Sequence, residues 1–228
     1  MGDRFGAKRL VALVPMRHHS ERVPGKNYRP LAGRPLYTHI LTALNSCPEL
    51  NSIVVDTDSP LIREGVRQEF PEVVLLDRPD HLRDGQIAMN EVLLYDVAKI
   101  EAGFYLQTHS TNPLLRPETI SRAISSFFAA YPDNDSLFSV TRLQQRLWDE
   151  HSQAVNHDPA VLLRTQDLPP LFGENSCLYI FERESFLRRR NRIGEKPLMF
   201  EVEPLEAWDI DEEHDFAIAE SLLTNWRD

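Results

Sequence analysis

The sequence predicts an α/β fold with a mostly parallel, Rossmann-like sheet that carries helices on both faces. Short apolar runs alternate with amphipathic segments along the first 130 residues, as is typical of parallel strands covered on both sides. A basic loop containing Gly25 follows the first apolar run, and polar loops follow the next three. Since ligands of such sheets bind beyond the carboxyl ends of the strands, these loops indicate one candidate site.

The predicted strands are apolar runs that are too short for helices. They span 10–14, 51–55, 73–76, 103–107 and 136–141. The predicted helices carry apolar residues on one face, and Pro35, Pro60 and Pro117 mark the start of three of them. They run from Pro35 onward and over 60–69, 86–100, 117–130 and 212–226. Leu61 and Ile218 are among the residues expected to face inward.

The 228 residues suit one domain covering 1–228, with 42% hydrophobic and 26% charged residues. Within it, 142–172 lacks a clear period and predicts an excursion from the sheet. No apolar run approaches the length needed to span a membrane, so we expect no membrane insertion. Cys47 and Cys177 fit neither a disulfide framework nor a zinc spacing. We therefore expect a reducing, cytoplasmic setting.

The charge is distributed unevenly along the chain. The net charge is −10, which argues against a nucleic-acid partner. Residues 1–34 nevertheless carry a net charge of +6, which leaves −16 for the remainder. A basic patch beside one loop of an acidic protein indicates a small anionic ligand.

The basic loop between the first strand and the first helix is a candidate phosphate site. Arg17, Ser20, Arg22, Gly25 and Lys26 follow the strand within a few residues of each other. Backbone N–H groups, a helix N-terminus and Lys or Arg side chains bind phosphate where they converge. The alternative is an ordinary surface loop between a strand and a helix.

A candidate metal site lies near the carboxyl terminus. Residues 201–215 contain eight carboxylates and no Lys or Arg. Asp209 and Asp211 would face the same side of an extended strand, where a hard divalent cation such as Mg²⁺ would offset their repulsion. Alternatively, Asp211 is a helix N-cap and Asp209 is solvated.

Six stretches together resemble the acylneuraminate cytidylyltransferase family, the CMP-sugar synthetases. They are PMRHHSERVPGKN with PLAGRPL at 15–36, VVDTD at 54–58, LDRPDHLRDG at 76–85, LQTHSTNPLLR at 106–116, ENSCLYI at 174–180, and DIDEEHD followed by AE at 209–220. The match runs in the family's order along nearly the whole chain. It departs from the family at Glu21, at Ala88 in place of serine, and at Gly173 in place of arginine.

The resemblance implies a fold of the nucleotide-diphospho-sugar transferase type. It also implies transfer of CMP from CTP to the anomeric hydroxyl of a 2-keto sugar acid, with release of pyrophosphate. The implied nucleotide-binding residues are Arg17, Ser20, Arg22, Lys26, Asn27, Arg78, Gln86 and Ala88. The implied substrate-binding residues are Gln107, Asn175 and Tyr179, and the implied Mg²⁺ ligands are Asp209 and Asp211. Arg17, Lys26 and Asp211 carry the implied catalytic roles, and 142–172 implies a homodimer contact near the partner's site.

Two alternative functions remain open from the sequence. One is a nucleotidyltransferase of the same fold that acts on a sugar 1-phosphate. The other is a non-catalytic nucleotide-sugar binding protein, which the departures at Glu21, Ala88 and Gly173 would suit. Intact Arg17 and Lys26 argue against it. The acceptor itself stays open among sialic, legionaminic, pseudaminic and Kdo-like acids.

Overall fold

The computed structural model describes residues 9–225. Its strands are β1 Leu10–Met16, β2 Pro30–Leu31, β3 Arg34–Pro35, β4 Ser52–Thr57, β5 Val74–Asp77, β6 Phe104–Thr108, β7 Ser136–Leu143, β8 Leu171–Glu182 and β9 Pro197–Glu201. Its α-helices are α1 Leu36–Asn45, α2 Pro60–Glu69, α3 Met89–Lys99, α4 Pro117–Ala130, α5 Arg183–Arg189 and α6 Glu213–Asn225.

Among the described residues, the main sheet has seven strands in the order β5-β4-β1-β6-β8-β7-β9. Strands β5, β4, β1 and β6 are parallel to one another. Strand β8 is antiparallel to its neighbours β6 and β7, and β9 is parallel to β7. The prediction of a mostly parallel sheet with helices on both faces is therefore confirmed.

Strand β1 lies in the centre of the sheet and is buried along its whole length. Its alternate residues face two different apolar clusters. Ala12 and Val14 pack with residues of α1, α2 and α4. Val11 and Leu13 pack on the opposite face with residues of α3 and α5. Burial on both faces explains why this strand is an uninterrupted apolar run instead of an alternating pattern.

Several boundaries differ from the sequence prediction. Helix α3 begins at Met89 instead of Gln86, because the Asp84 carboxylate accepts a hydrogen bond from the Gln86 backbone N–H at 2.8 Å and holds a turn there. Leu61 and Ile218 are exposed, so their inward assignment is wrong. The sequence prediction also missed β2, β3, α5 and β9. Trp226, the expected end of the last helix, lies outside the described residues.

The excursion expected at 142–172 begins and ends inside strands. Strands β7 and β8 continue as an antiparallel ribbon as far as the pairs Arg142–Phe172 and Leu143–Leu171. Between the strands the chain is mostly irregular and exposes Trp148, Val155 and Leu162. Within residues 9–225, no helix is both long and apolar enough to cross a membrane.

Candidate active site

A cleft of about 520 Å³ lies beyond the carboxyl ends of the central strands. Its walls come from the basic loop after β1, the loop between β5 and α3, the turn after β6, and residues 209–211. The polar lining includes Arg17, Ser20, Arg22, Lys26, Asn27, Arg78, Gln86, His109, Ser110, Thr111, Ser176, Asp209 and Asp211. Of the residues predicted to bind nucleotide, only Ala88 is absent from this lining; it is exposed at the start of α3.

The basic loop is held in shape by contacts within it and by the turn after β6. Gly25 has a φ of 71°, a left-handed conformation that glycine adopts without a steric cost, and a 3₁₀ turn follows it. Asn27 donates to the Arg17 carbonyl at 2.7 Å and accepts from the Ser110 hydroxyl at 2.7 Å. The amide of Asn27 therefore joins two cleft loops, and both its oxygen and its nitrogen already have partners.

Lys26 and Arg22 meet the acidic segment across the cleft. The Lys26 Nζ lies 2.6 Å from the Ile210 carbonyl oxygen and 3.3 Å from Asp211 Oδ1. An Arg22 Nη2 lies 2.7 Å from the same Asp211 oxygen. The Lys26 side chain is 12% exposed and that of Arg22 is 57% exposed. Lys26 therefore has a defined position, whereas Arg22 is in contact with solvent.

Arg17 lies over the loop between β5 and α3. Its guanidinium is so close to Gly85 that a Cβ at that position would overlap it, and the Glu21 carboxylate lies beside the same position at 3.3 Å. Within the described part of the chain, the Arg17 guanidinium forms no ion pair. It is therefore available to an anionic ligand in the cleft.

The acidic segment is not a strand, so the expectation of a strand end is wrong. Residues 209–211 are irregular and follow a turn at 204–207. The Asp215 carboxylate accepts from the backbone N–H groups of Asp211 and Glu212 at 2.9 and 2.7 Å, so these groups are not free to join a ladder. Asp215 thus caps the start of α6, and Asp211 is not the N-cap of the alternative interpretation.

Asp209 and Asp211 nevertheless both face the cleft. Asp209 Oδ1 is buried without a hydrogen-bond partner. Burial raises the pKa of Asp209, and Asp211 adds to this effect. An unpartnered buried oxygen beside a second carboxylate fits a hard cation. No cluster of three potential metal ligands occurs within residues 9–225, so a cation here would complete its shell with phosphate or water.

Arg78 lines the cleft, is buried, and is paired with the Asp56 carboxylate. Its Nε donates to Asp56 Oδ2 at 3.0 Å, with 4% and 1% of the two side chains exposed. Asp96 lies against Asp56, and burial together with the Asp56 charge raises the pKa of Asp96 well above its ordinary range. Asp56 Oδ1 and both oxygens of Asp96 lack an ordinary donor. A protonated Asp96 can donate a hydrogen bond to the Asp56 carboxylate. This bond gives the two buried carboxyl groups a partner in each other, while Asp56 stays paired with Arg78.

This arrangement predicts that the free energy of unfolding depends on pH differently in wild type and in an Asp96→Asn variant. Because the folded pKa of Asp96 is raised, the wild-type free energy of unfolding falls as pH rises from about 4 toward that folded pKa, on the order of 1 kcal/mol per pH unit. An asparagine donates to Asp56 without titrating, so we expect the variant to be the more stable one at pH 8. Urea unfolding at pH 5 and pH 8 measures this. The exposed Asp133→Asn is the control, and equal pH slopes in Asp96→Asn and wild type would contradict the shared proton.

The three residues predicted to bind the acceptor lie behind the cleft wall. None of Gln107, Asn175 or Tyr179 lines the cleft directly. The amide of Asn175 accepts from Ser139 at 2.6 Å and donates to Thr141 at 2.9 Å, so it joins β8 to β7. Gln107 and Tyr179 are fully buried.

Arg192, which the sequence analysis missed, completes a cluster with Gln107 and Tyr179. Its Nη1 donates to Gln107 Oε1, and its guanidinium lies 3.5 Å from the centre of the Tyr179 ring. We call Gln107, Tyr179 and Arg192 the Arg192 cluster. A run of arginines at 188–192 indicates only a solvated basic stretch, so no sequence signal distinguished this one.

Two residues connect the Arg192 cluster with the cleft. Gln107 lies 3.0 Å from His109 Nε2, and the Tyr179 hydroxyl lies 3.1 Å from Ser176 Oγ. His109 and Ser176 both line the cleft. Burial, together with the nearby charges of Arg192 and Lys26, lowers the pKa of His109 to about 3. His109 is therefore neutral at pH 7, and Arg192 contributes the positive charge on this side of the cleft.

A family model described as cytidylyltransferase matches residues 11–223. The chain belongs to the cytidylyltransferase family. The match covers the basic loop, the Arg78 loop, the Arg192 cluster and the acidic segment, and it confirms the family that the sequence motifs predicted.

Two curated relatives of this cytidylyltransferase differ in how much of their own length the chain matches. The chain is 30% identical to a CMP-N,N'-diacetyllegionaminic acid synthase of Legionella pneumophila, over 94% of this chain and 96% of the relative. It is 26% identical to N-acylneuraminate cytidylyltransferase A of Danio rerio, over 96% of this chain and 52% of the relative. The chain thus spans about half the length of the latter protein.

Solved structures share the fold of this cytidylyltransferase. A CMP:2-keto-3-deoxy-manno-octonic acid synthetase complexed with CTP superposes with a TM-score of 0.71 at 15% identity, over 96% of this chain and 100% of the other. A 4-diphosphocytidyl-2C-methyl-D-erythritol synthase of Anaerococcus prevotii gives 0.73 at 11% identity, over 97% and 98%. At these identities the similarity establishes the fold alone.

Proposed function

We propose that this protein transfers CMP from CTP to the anomeric hydroxyl of a 2-keto sugar acid and releases pyrophosphate. The observation that carries the proposal is the cleft in which Lys26 meets Asp211 while Arg17 forms no ion pair with any residue from 9 to 225. Membership of the family supports the nucleotide chemistry. The relative of matching length, named for a legionaminic acid, supports the class of acceptor.

The basic loop holds the triphosphate in this proposal. Arg17, Ser20, Arg22 and Lys26 surround one end of the cleft, where they would offset the charge on the phosphates. The acceptor hydroxyl oxygen forms a bond to the α-phosphorus as the bond from that phosphorus to the β-phosphate oxygen breaks. Positioning and charge stabilisation supply most of the rate enhancement in such transfers.

We propose that Asp209 and Asp211 hold Mg²⁺. The unpartnered oxygen of Asp209 and its neighbour Asp211 suit a cation that binds one or two carboxylates together with phosphate oxygens. When bound, such an ion stabilises negative charge on the phosphates as a Lewis acid. Lys26 and Arg22, which now contact Asp211, would then share their charge with the triphosphate.

The direct test of the proposed function is pyrophosphate release from CTP and Mg²⁺ with a panel of acceptors. The panel contains N-acetylneuraminic acid, N,N'-diacetyllegionaminic acid, Kdo and several sugar 1-phosphates. We expect turnover with at least one of the sugar acids and none with a sugar 1-phosphate. Turnover with a sugar 1-phosphate would favour the first alternative, and binding of CTP without any turnover would favour the non-catalytic alternative.

Cytosine selectivity is expected from the loop between β5 and α3. We propose that Arg78, Gln86 and the backbone at Ala88 contact the base, since Asp56 fixes the Arg78 guanidinium beside the cleft. CTP should therefore compete better than UTP, ATP or GTP for the site. Displacement of labelled CTP by each unlabelled nucleotide measures this. Equal or better competition by ATP would contradict the assignment.

We further propose a single catalytic domain whose excursion at 142–172 mediates a homodimer. The exposed Trp148, Val155 and Leu162 support this proposal, because an apolar surface of this kind favours a protein contact. Light scattering at micromolar concentration should give the mass of two chains, and Leu162→Asp should shift the equilibrium toward monomer. A monomeric mass for the wild type would contradict the dimer.

We propose a cytoplasmic location for this enzyme. Cys47 and Cys177 are both free and buried. Burial raises the pKa of Cys47 to about 11, so its thiol stays protonated and unreactive at neutral pH. Such thiols are in keeping with a reducing compartment.

A further inference from the structure

The acceptor in the proposed reaction carries a carboxylate, and the cations around the triphosphate end of the cleft already have other partners or roles. Arg22 and Lys26 contact Asp211, and Arg78 is paired with buried Asp56. Arg17 lies over Gly85 on the nucleotide side. Gly173 has no side chain that could bind a carboxylate. A sugar carboxylate therefore needs a cation from another part of the fold.

Arg192 can supply this positive charge, because of where it lies and because of what its side chain contacts. Its described contacts are the Gln107 amide oxygen and the face of the Tyr179 ring, both of which are uncharged at neutral pH. Within residues 9–225 it forms no ion pair, and it is only half-buried. The nearby Arg190, by contrast, is paired with Glu91 at 2.9 Å. Arg192 thus retains N–H donors that no carboxylate of residues 9–225 occupies, although the Glu174 carboxylate, which accepts a hydrogen bond from the Tyr179 hydroxyl, adds a negative charge nearby.

The loop that carries Arg192 is rigidly attached to the fold. The Asp135 carboxylate accepts from the backbone N–H groups of Glu195 and Lys196 at 2.9 and 3.0 Å. Gly194 donates from its backbone to Ser136 Oγ at 2.8 Å, and a side chain at this glycine would overlap Asp135. The guanidinium is therefore held in place before any ligand arrives, which lowers the entropic cost of binding.

The same loop contacts the start of α3, next to the segment proposed to contact the base. The Arg192 backbone N–H donates to the Asn90 side chain at 3.3 Å, and the Arg190–Glu91 ion pair joins the next residue of that helix. Arg192 is thereby fixed relative to the nucleotide end of the cleft. A planar guanidinium with free donors is well suited to bind a carboxylate by two parallel hydrogen bonds.

We propose that Arg192 binds the carboxylate of the sugar-acid acceptor, in place of the arginine that Gly173 lacks. This inference rests on the proposed function, because it presupposes an acidic acceptor. Gln107 and Tyr179 hold the guanidinium in its orientation, and they contact His109 and Ser176, which line the cleft. The chain therefore selects acidic sugars through a residue outside the strand motif.

The test compares Arg192→Gln, Arg192→Lys and the control Arg188→Gln. Arg188 is a neighbouring arginine whose side chain is 60% exposed. Acceptor KM and CTP KM are measured with whichever of N-acetylneuraminic acid, N,N'-diacetyllegionaminic acid or Kdo turns over. We expect Arg192→Gln to raise the acceptor KM by about 10- to 100-fold, the loss typical of one hydrogen-bonded charge pair. Arg192→Lys should recover part of the loss, whereas CTP KM and Arg188→Gln should stay near wild type.

A binding measurement separates this inference from the proposed function. Saturation-transfer NMR with the same acids is carried out in the presence of CMP, where no turnover occurs, and the acid methyl esters serve as uncharged probes. We expect wild type to bind the acids in preference to the esters, and Arg192→Gln to lose that preference while its circular dichroism is unchanged. Such binding without turnover would contradict the proposed function and support Arg192. Normal turnover with equal acid binding in Arg192→Gln and wild type would overturn the inference, as would wild-type protein that binds none of the acids.

Discussion

Replacing Lys26 by alanine should lower turnover by about 10²-fold or more, the loss typical of removing one group that stabilises charge in the transition state. The Lys26 ammonium lies at the cleft edge, 3.3 Å from Asp211, in a position that would face the phosphates of CTP. Pyrophosphate release under saturating CTP measures the effect. The free energy of unfolding should change little, because a lysine beside a cleft is not part of the apolar core.

Arg29→Ala is the matched control for Lys26→Ala. Arg29 also connects the basic loop with the acidic end of the chain, through an ion pair with Glu213 at 2.6 Å. It does not line the cleft, so its loss removes a connection between the same segments without removing charge from the site. We expect its turnover to remain near wild type. A rate for Lys26→Ala close to the unmutated rate, or an equal loss in both variants, would exclude a direct role for Lys26.

Asp211→Asn should likewise lower turnover steeply, by about 10²-fold or more, as expected when a charge-stabilising interaction is lost. The variant keeps the shape of the side chain but removes one negative charge from the proposed metal site. The Mg²⁺ concentration that gives half-maximal rate should rise, and a titration of rate against Mg²⁺ measures this. Stability should be nearly unchanged, because Asp215 and not Asp211 caps the helix.

Asp215→Ala supplies the contrasting variant. Asp215 is 9% exposed, and its carboxylate accepts hydrogen bonds from two backbone N–H groups at the start of α6. Its removal should lower the free energy of unfolding by about 1–2 kcal/mol, as for other lost helix caps. If Asp211→Asn instead lost stability while its Mg²⁺ dependence stayed normal, Asp211 would be a structural residue and the cation would be held elsewhere.

The central sheet could be predicted because its signals are local. An uninterrupted apolar run such as β1 indicates a strand buried on both faces whatever surrounds it. Helices α2 and α4 begin with proline at their first position, which the sequence shows directly. By contrast, α5 is short and rich in arginine, and β9 is an edge strand of five residues whose partner β7 lies about 60 positions earlier. Neither α5 nor β9 has a distinctive hydrophobic periodicity in its sequence.

The candidate site was only partly predictable for the same reason. The basic loop and the acidic segment are contiguous in sequence, so their charge is visible without a structure. The geometry of Asp209 and Asp211 depends instead on Asp215, which takes the backbone N–H groups that a strand would use. The position of Arg192 depends on Asp135, far away in the sequence. Contacts of this kind arise only from the tertiary fold.

Strand β8, which is antiparallel to β6, divides the main sheet into two parts. The two parts differ in how many amino-acid substitutions they can accept without loss of nucleotide transfer. The parallel strands β4, β1 and β6 lead into loops proposed to hold CTP. A substitution in these loops is expected to impair nucleotide transfer. Strand β8 and the segment that follows α5 carry Tyr179 and Arg192. Mutations in this second part can change the proposed position of Arg192 without replacing any residue of the basic loop. If Arg192 binds the acceptor as proposed, a change of acceptor requires only a positive charge at a different position in this second part, while the nucleotide donor stays the same.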